Sequence, residues 1–107
     1  MTEQYIEIQW TSGSLDEARK VSRFLVQERY VACAQITPWI ESIFRWENQL
    51  DTVQESKIVF KTHLDKFEQI KEIILKNSTY EIPEVTFTHI SGGNNDYLKW
   101  IKENVRE

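Results

Sequence analysis

Along the chain, apolar and polar positions alternate, switch to helical spacing, and alternate again. Tyr5-Ile6-Glu7-Ile8-Gln9-Trp10 puts Ile6, Ile8 and Trp10 on one face and predicts a first strand. Thr11-Ser12-Gly13 breaks it. Ser14-Leu15-Asp16-Glu17 fits a capping box, in which the Ser and the Glu three residues on each satisfy a free backbone N–H. Leu15, Ala18, Val21, Phe24 and Leu25 then form an apolar stripe that predicts a helix to about Arg29. From Val31 to Ile36 the pattern is again that of a strand, with Ala32, Ala34 and Ile36 on one face and Cys33 and Gln35 on the other. Pro38 cannot donate to a ladder and marks a bulge or an edge. Extended character resumes from Trp39 to Trp46, and Glu47-Asn48-Gln49 is the expected turn, because Asn tolerates positive φ.

The return strand runs from Leu50 to Thr62, with Ile58 and Phe60 on one face and Lys57, Val59 and Lys61 on the other. Thr62-His63-Leu64-Asp65 is placed to cap a second helix, whose buried stripe is Leu64, Phe67, Ile70, Ile73 and Ile74. Ser78 to Val85 connects that helix to a fourth strand, Val85 to Ile90; Pro83 biases Ile82 towards extended geometry. After a break at Ser91-Gly92-Gly93, Asn95 is expected to cap a short last helix with Tyr97, Leu98, Ile101 and Val105 on one side.

This order is that of a split βαβ, ferredoxin-like α+β fold: an antiparallel sheet, two long helices on one face, and a C-terminal helix. Residues 1–107 make one domain. The central hairpin is longer than the first and fourth strands. Its distal half, Trp39 to Val53, is expected to overhang the sheet with Trp39, Phe44 and Trp46 exposed. An apolar strand edge in water invites pairing, and a symmetric oligomer covers it.

Composition adds bounds rather than chemistry. Net charge is −4, from 17 acids against 13 bases, with no basic patch, which argues against nonspecific nucleic-acid binding. No apolar run is long enough for a membrane span. One cysteine excludes an internal disulfide, and Met1-Thr2-Glu3-Gln4 lacks a secretory pattern, so the expected compartment is cytoplasmic. Four Trp, four Tyr and five Phe exceed what so small a core hides, and the surplus points to an interface.

Candidate metal ligands are Cys33, His63 and His89, but no C-x-x-C or H-x-x-x-H spacing joins them. Each has a plainer reading: Cys33 as a small strand residue, His63 as a capping or solvated residue, His89 as a hydrogen-bonded sheet residue. No G-x-S-x-G elbow or Ser/His/Asp order is present, so an enzyme is not expected. Gly92-Gly93 precedes a helix without the spacing of a phosphate loop. Lys57 and Lys61 share a strand face that reads first as a charged outer face.

Five blocks in order carry a resemblance: Val31-Ala32-Cys33-Ala34-Gln35-Ile36, Ile43-Phe44-Arg45-Trp46-Glu47-Asn48, Ile58-Val59-Phe60-Lys61-Thr62, Tyr80-Glu81-Ile82-Pro83-Glu84-Val85 and Asn95-Asp96-Tyr97-Leu98-Lys99-Trp100. Together they resemble the CutA family of divalent-cation tolerance proteins. The resemblance implies a ferredoxin-like fold and a homotrimer with hairpins paired between subunits, an architecture similar to the PII signalling proteins. It implies a small-molecule, anion or metal-ion-responsive binding or signalling module, with copper or another divalent cation as the family's associated ion. The implied site is an intersubunit cleft near Tyr80 and Glu84, with Lys61, Trp46 and Glu47 as neighbours and Cys33 as a weaker candidate. The resemblance also implies that relatives often carry a Cys where Trp10 stands and a His where Ser78 stands, the usual candidates for soft-metal binding. The family's hairpin Gly is Asn48. A direct copper or divalent-metal binder, and a small enzyme with an intersubunit site, are the alternatives.

Overall fold

The computed structural model describes residues 3–107; Met1 and Thr2, part of the N-terminal segment read for a leader, lie outside the described residues. The elements are β1 (Tyr5–Ser12), α1 (Leu15–Gln27), β2 (Cys33–Trp46), β3 (Gln49–His63), α2 (Phe67–Asn77), β4 (Val85–His89) and α3 (Asn95–Asn104). One antiparallel sheet has the strand order β2-β3-β1-β4. This is the expected ferredoxin-like α+β fold.

Alternation sorts the sheet's side chains. Ile6, Ile8 and Trp10 of β1 and Ile58 and Phe60 of β3 are fully buried on the face covered by α1 and α2. Ala18, Val21 and Leu25 meet them from α1, Ile70 and Ile74 from α2. On the opposite face Tyr5, Ala32, Ile101 and Val105 form a second, smaller cluster under α3. Ala32 therefore does not share a face with Ala34 and Ile36 as expected. It precedes β2, and its backbone N–H donates to the Lys61 carbonyl (2.8 Å) before regular alternation begins.

Local details refine the expected boundaries. α1 ends at Gln27, two residues early, because Arg29 takes a left-handed φ of 62°. Tyr30 N–H then donates to the Leu25 carbonyl (2.9 Å) and Arg29 N–H to the Val26 carbonyl (3.0 Å), a Schellman closure, with Tyr30 stacked on Phe24. A non-glycine at this position is strained, but its side chain has a role: Arg29 Nη2 donates to the Glu103 carbonyl at 2.6 Å and ties α3 down. Thr62 and His63 end β3, and His63 also serves as the expected cap, its Nδ1 accepting from Asp65 N–H at 3.3 Å, but what it caps is a 3-10 turn, Leu64–Lys66, that intervenes before α2. At α3 the cap position is Asn94, one residue before the expected Asn95, and no side-chain cap bond forms there.

The hairpin turn is tighter than expected. Trp46 pairs with Gln49, leaving only Glu47 and Asn48 in the loop, with φ of 51° and 67°. Two successive positive φ values are those of a type I′ turn, whose twist matches the strands. β2 gains one extra residue between Thr37, paired with Lys57, and Ile40, paired with Glu55. This is the bulge marked by Pro38, whose carbonyl accepts from Ser56 Oγ at 3.0 Å. β3 has 15 residues and β1 only 8, so the hairpin beyond Ser56 has no third strand beside it and projects as an arm. Trp39, Ile43 and Leu50 are 60%, 65% and 76% exposed along it.

The buried stack of Phe60 on Trp10 joins the two central strands under both helices. Phe60→Ala is expected to lower unfolding free energy by about 3–5 kcal/mol. Urea denaturation followed by circular dichroism checks this; a loss under about 1 kcal/mol would contradict the packing described.

Candidate functional site

The arm and the α2–β4 connector enclose a cavity of ≈ 720 Å³. The bulge decides which side chains face it. Before Pro38 the residues of β2 on the same face as Lys57 and Lys61 are Cys33, Gln35 and Thr37; beyond it the extra residue inverts the alternation, so Ile40, Ser42, Phe44 and Trp46 take that face. Val53, Glu55 and Lys57 of β3 lie opposite, and Thr11 of β1 closes the inner end. The connector supplies Tyr80, Glu81, Ile82 and Glu84.

Tyr80 is held from several sides. Its ring lies against Gly13 so closely that a Cβ there would stand 2.8 Å from Cε1 and from the hydroxyl. Glu17 ties the connector to the start of α1: its Oε1 accepts from Thr79 N–H at 3.0 Å, and its Oε2 accepts from Ser12 Oγ at 2.6 Å. The expected capping box is therefore only half formed. Ser14 Oγ accepts from Glu17 N–H (3.2 Å), but Ser14 N–H is taken by Ser12 Oγ (3.2 Å), which frees the Glu17 carboxylate for Thr79. Burial, then the neighbouring Glu55 carboxylate, push the Tyr80 phenol up to about 12. Tyr80 is thus a neutral hydrogen-bond donor facing a carboxylate that is itself only 7% exposed.

Of the residues predicted from the sequence, Tyr80, Glu84 and Trp46 line this cavity. Glu47 sits in the exposed turn at the tip of the arm and is not among the lining residues. Lys61 stands elsewhere on the sheet, opposite Cys33, with Nζ 3.5 Å from the Tyr97 hydroxyl and over its ring; Cys33 Sγ is 3.8 Å from the same hydroxyl. Burial and then Cys33 raise the Tyr97 pKa, while Lys61 opposes them. The lysine at the cavity is Lys57, four residues earlier on the same face, and only the reach of the connector distinguishes it from Lys61. Glu55 shares that face and also lines the cavity.

The metal candidates stay apart. His63 Nε2 is 2.7 Å from Glu3 Oε2, and its Nδ1 accepts from Asp65 N–H at 3.3 Å. Lys102 and then His63 draw the Glu3 pKa down. His89 is exposed on the edge strand, edge-on to Phe87. Among the described residues no three His, Cys, Asp or Glu side chains stand together to hold a metal ion. Trp10, where the resemblance leads to the expectation of a Cys, is in the core on the opposite face from Thr11 and the cavity.

Sheet order, helix placement and an arm extending the central hairpin define a ferredoxin-like protein with a cavity at the arm's root. Residues 6–104 match the family of CutA1 divalent ion tolerance proteins, and the chain belongs to that family. It is 36% identical over 95 residues to the divalent-cation tolerance protein CutA of Thermus thermophilus, covering 89% of this chain and 92% of that one. It is 33% identical over 96 residues to the chloroplastic protein CutA of Arabidopsis thaliana, of which it spans about half (53%). Among solved structures, CutA1 from Oryza sativa superposes with a TM-score of 0.94 at 31% identity, covering 99% of this chain and 97% of that one. A protein described as the periplasmic CutA of Archaeoglobus fulgidus gives 0.91 at 28% identity, with 95% and 99% covered. No helix of the described residues is long and apolar enough to cross a membrane.

Because Tyr80 is harder to ionise folded than unfolded, folding is favoured below its unfolded pKa of 10.0 and weakened as pH rises towards about 12. The thermal midpoint is expected to fall across that window, and by less in Tyr80→Phe. Identical pH profiles for the two proteins would contradict the environment described.

Proposed function

We propose that this chain works as a cytoplasmic, PII-like homotrimer that binds a small ligand or responds to metal ions, without catalysis of its own, within the divalent-cation tolerance of its family. One domain, residues 1–107, forms each subunit. The observation that supports this reading is the arm: a hairpin without a third strand, on which Trp39, Ile43 and Leu50 are strongly exposed and Phe44 and Trp46 stand at 37% and 39% exposure. Apolar surface on an unpaired projection is a cost to a monomer and a contact surface for identical copies around an axis. The cavity at the arm's root, with Tyr80 and Glu84 on the connector wall, becomes a cleft between subunits when the arms are covered. Ligand or ion binding there changes how an arm is seated, which is the response the reading requires.

Sedimentation equilibrium at micromolar concentration is expected to give a trimer; a monomer would refute the assembly. Trp46→Ala is expected to lower the trimer's thermal midpoint more than Trp100→Ala, since Trp46 lies on the arm and Trp100 stacks on Tyr97 within α3. Equal or reversed losses would count against the arm as the contact. A panel of divalent ions, small anions and small organic cations should raise the midpoint for at least one member, by mass action on the folded trimer. A flat response across the panel would remove the binding role.

A further inference from the structure

The cavity at the root of the arm has an unbalanced charge. Its lining includes four carboxylates, Asp51, Glu55, Glu81 and Glu84, against one base, Lys57. Glu55 is the telling member, because it is 7% exposed and lines the cavity. The ion pairs among the described residues are His63 with Glu3 and Asp65, Lys71 with Glu68, and Lys102 with Glu3, so Glu55 has no basic partner. Glu55 faces the Tyr80 phenol but no base, and a cation seated against it supplies the missing counter-charge.

The rest of the wall states what kind of cation. Tyr80, Phe44 and Trp46 present aromatic surface, and Ile40, Val53 and Ile82 are apolar. A metal ion needs donors converging on one point, and no three His, Cys, Asp or Glu side chains of the described residues converge. A diffuse positive charge on a carbon framework gains from aromatic faces and apolar walls together with a carboxylate.

We propose that this cavity is a site for a small organic cation, an alkyl or aryl ammonium or guanidinium, with its charge against Glu55 and its apolar part against Tyr80 and Trp46. The inference rests on the proposed ligand-binding role of the same cleft and specifies its ligand class. Glu84 and Glu81, on the exposed connector, add attraction at the mouth, and Lys57 at the inner end opposes it. The site therefore discriminates by charge sign between ligands of similar size and shape.

The test is calorimetry on the full chain in its native oligomeric state, with benzyltrimethylammonium and phenylacetate as probes of matched aromatic bulk and opposite charge. Saturable binding of the cation, and none of the anion, is expected. Glu55→Gln and Trp46→Leu should each weaken the cation by roughly fivefold or more, and Lys57→Gln should tighten it. The Lys57 variant keeps the test decisive if Glu55→Gln fails to fold. Binding of phenylacetate in preference would overturn the inference while leaving a ligand-binding cleft standing. Cation binding indifferent to Trp46→Leu and Lys57→Gln would place it elsewhere and also overturn the inference. Binding of neither probe would mean that the arm of a neighbouring copy fills the cavity, and would overturn both the inference and the cleft as a ligand site.

Discussion

A mismatch in strand length governs this molecule. β3 is the spine of the sheet, paired on one side with β2 and on the other with β1, but β1 stops at Ser12 opposite Ser56. Backbone groups and apolar side chains beyond that point have no third strand or helix to meet. The inner half of the hairpin is therefore core, with Ile58 and Phe60 fully buried, while the outer half leaves Leu50 at 76% exposure and Ile43 at 65%. One strand pair thus serves two environments, and the cavity lies at the boundary between them.

Two small devices set that boundary. The first is the extra residue between Thr37 and Ile40. Side chains alternate with a period of two, so a single insertion exchanges the faces of everything beyond it. Phe44 and Trp46 line the cavity through that exchange. The second is the link from Glu17 to Thr79, which holds the connector where Tyr80 can lie on Gly13 and face Glu55. One is a backbone insertion and the other a backbone-to-side-chain hydrogen bond, and both place side chains outside the buried core.

Much of the fold was legible because it depends on local periodicity. Ile6, Ile8, Trp10, Ile58 and Phe60 could be assigned to one buried face from alternation alone, and the α1 stripe from helical spacing. Pro38 announced the bulge because it lacks an N–H. The site was less legible, since it depends on where distant segments meet. Tyr80, Glu84 and Trp46 were named and do share a cavity, but Lys61 was placed among them and is instead opposite Cys33 beside Tyr97. The lysine that lines the cavity, Lys57, has the same strand parity, and parity cannot say how far along a strand a loop will reach. Glu17 was hidden for a different reason: the capping box gave its carboxylate a complete local explanation, and only the tertiary position of Thr79 showed a competing partner.

Trp10 bears on where chemistry can reside in this member of the family. The residue at this position of β1 points to the helix-covered face, where the indole is fully buried and stacked on Phe60. Its neighbour Thr11 points the other way and lines the cavity. In an alternating strand these directions are fixed by the pleat, so a side chain at position 10 cannot join the cavity's wall without a shift of register. Trp at this position fills core volume on one face and leaves the chemistry of the other untouched. The cavity's character therefore rests on the arm and the connector, through Glu55, Lys57, Tyr80 and the aromatic residues that the bulge turns inward.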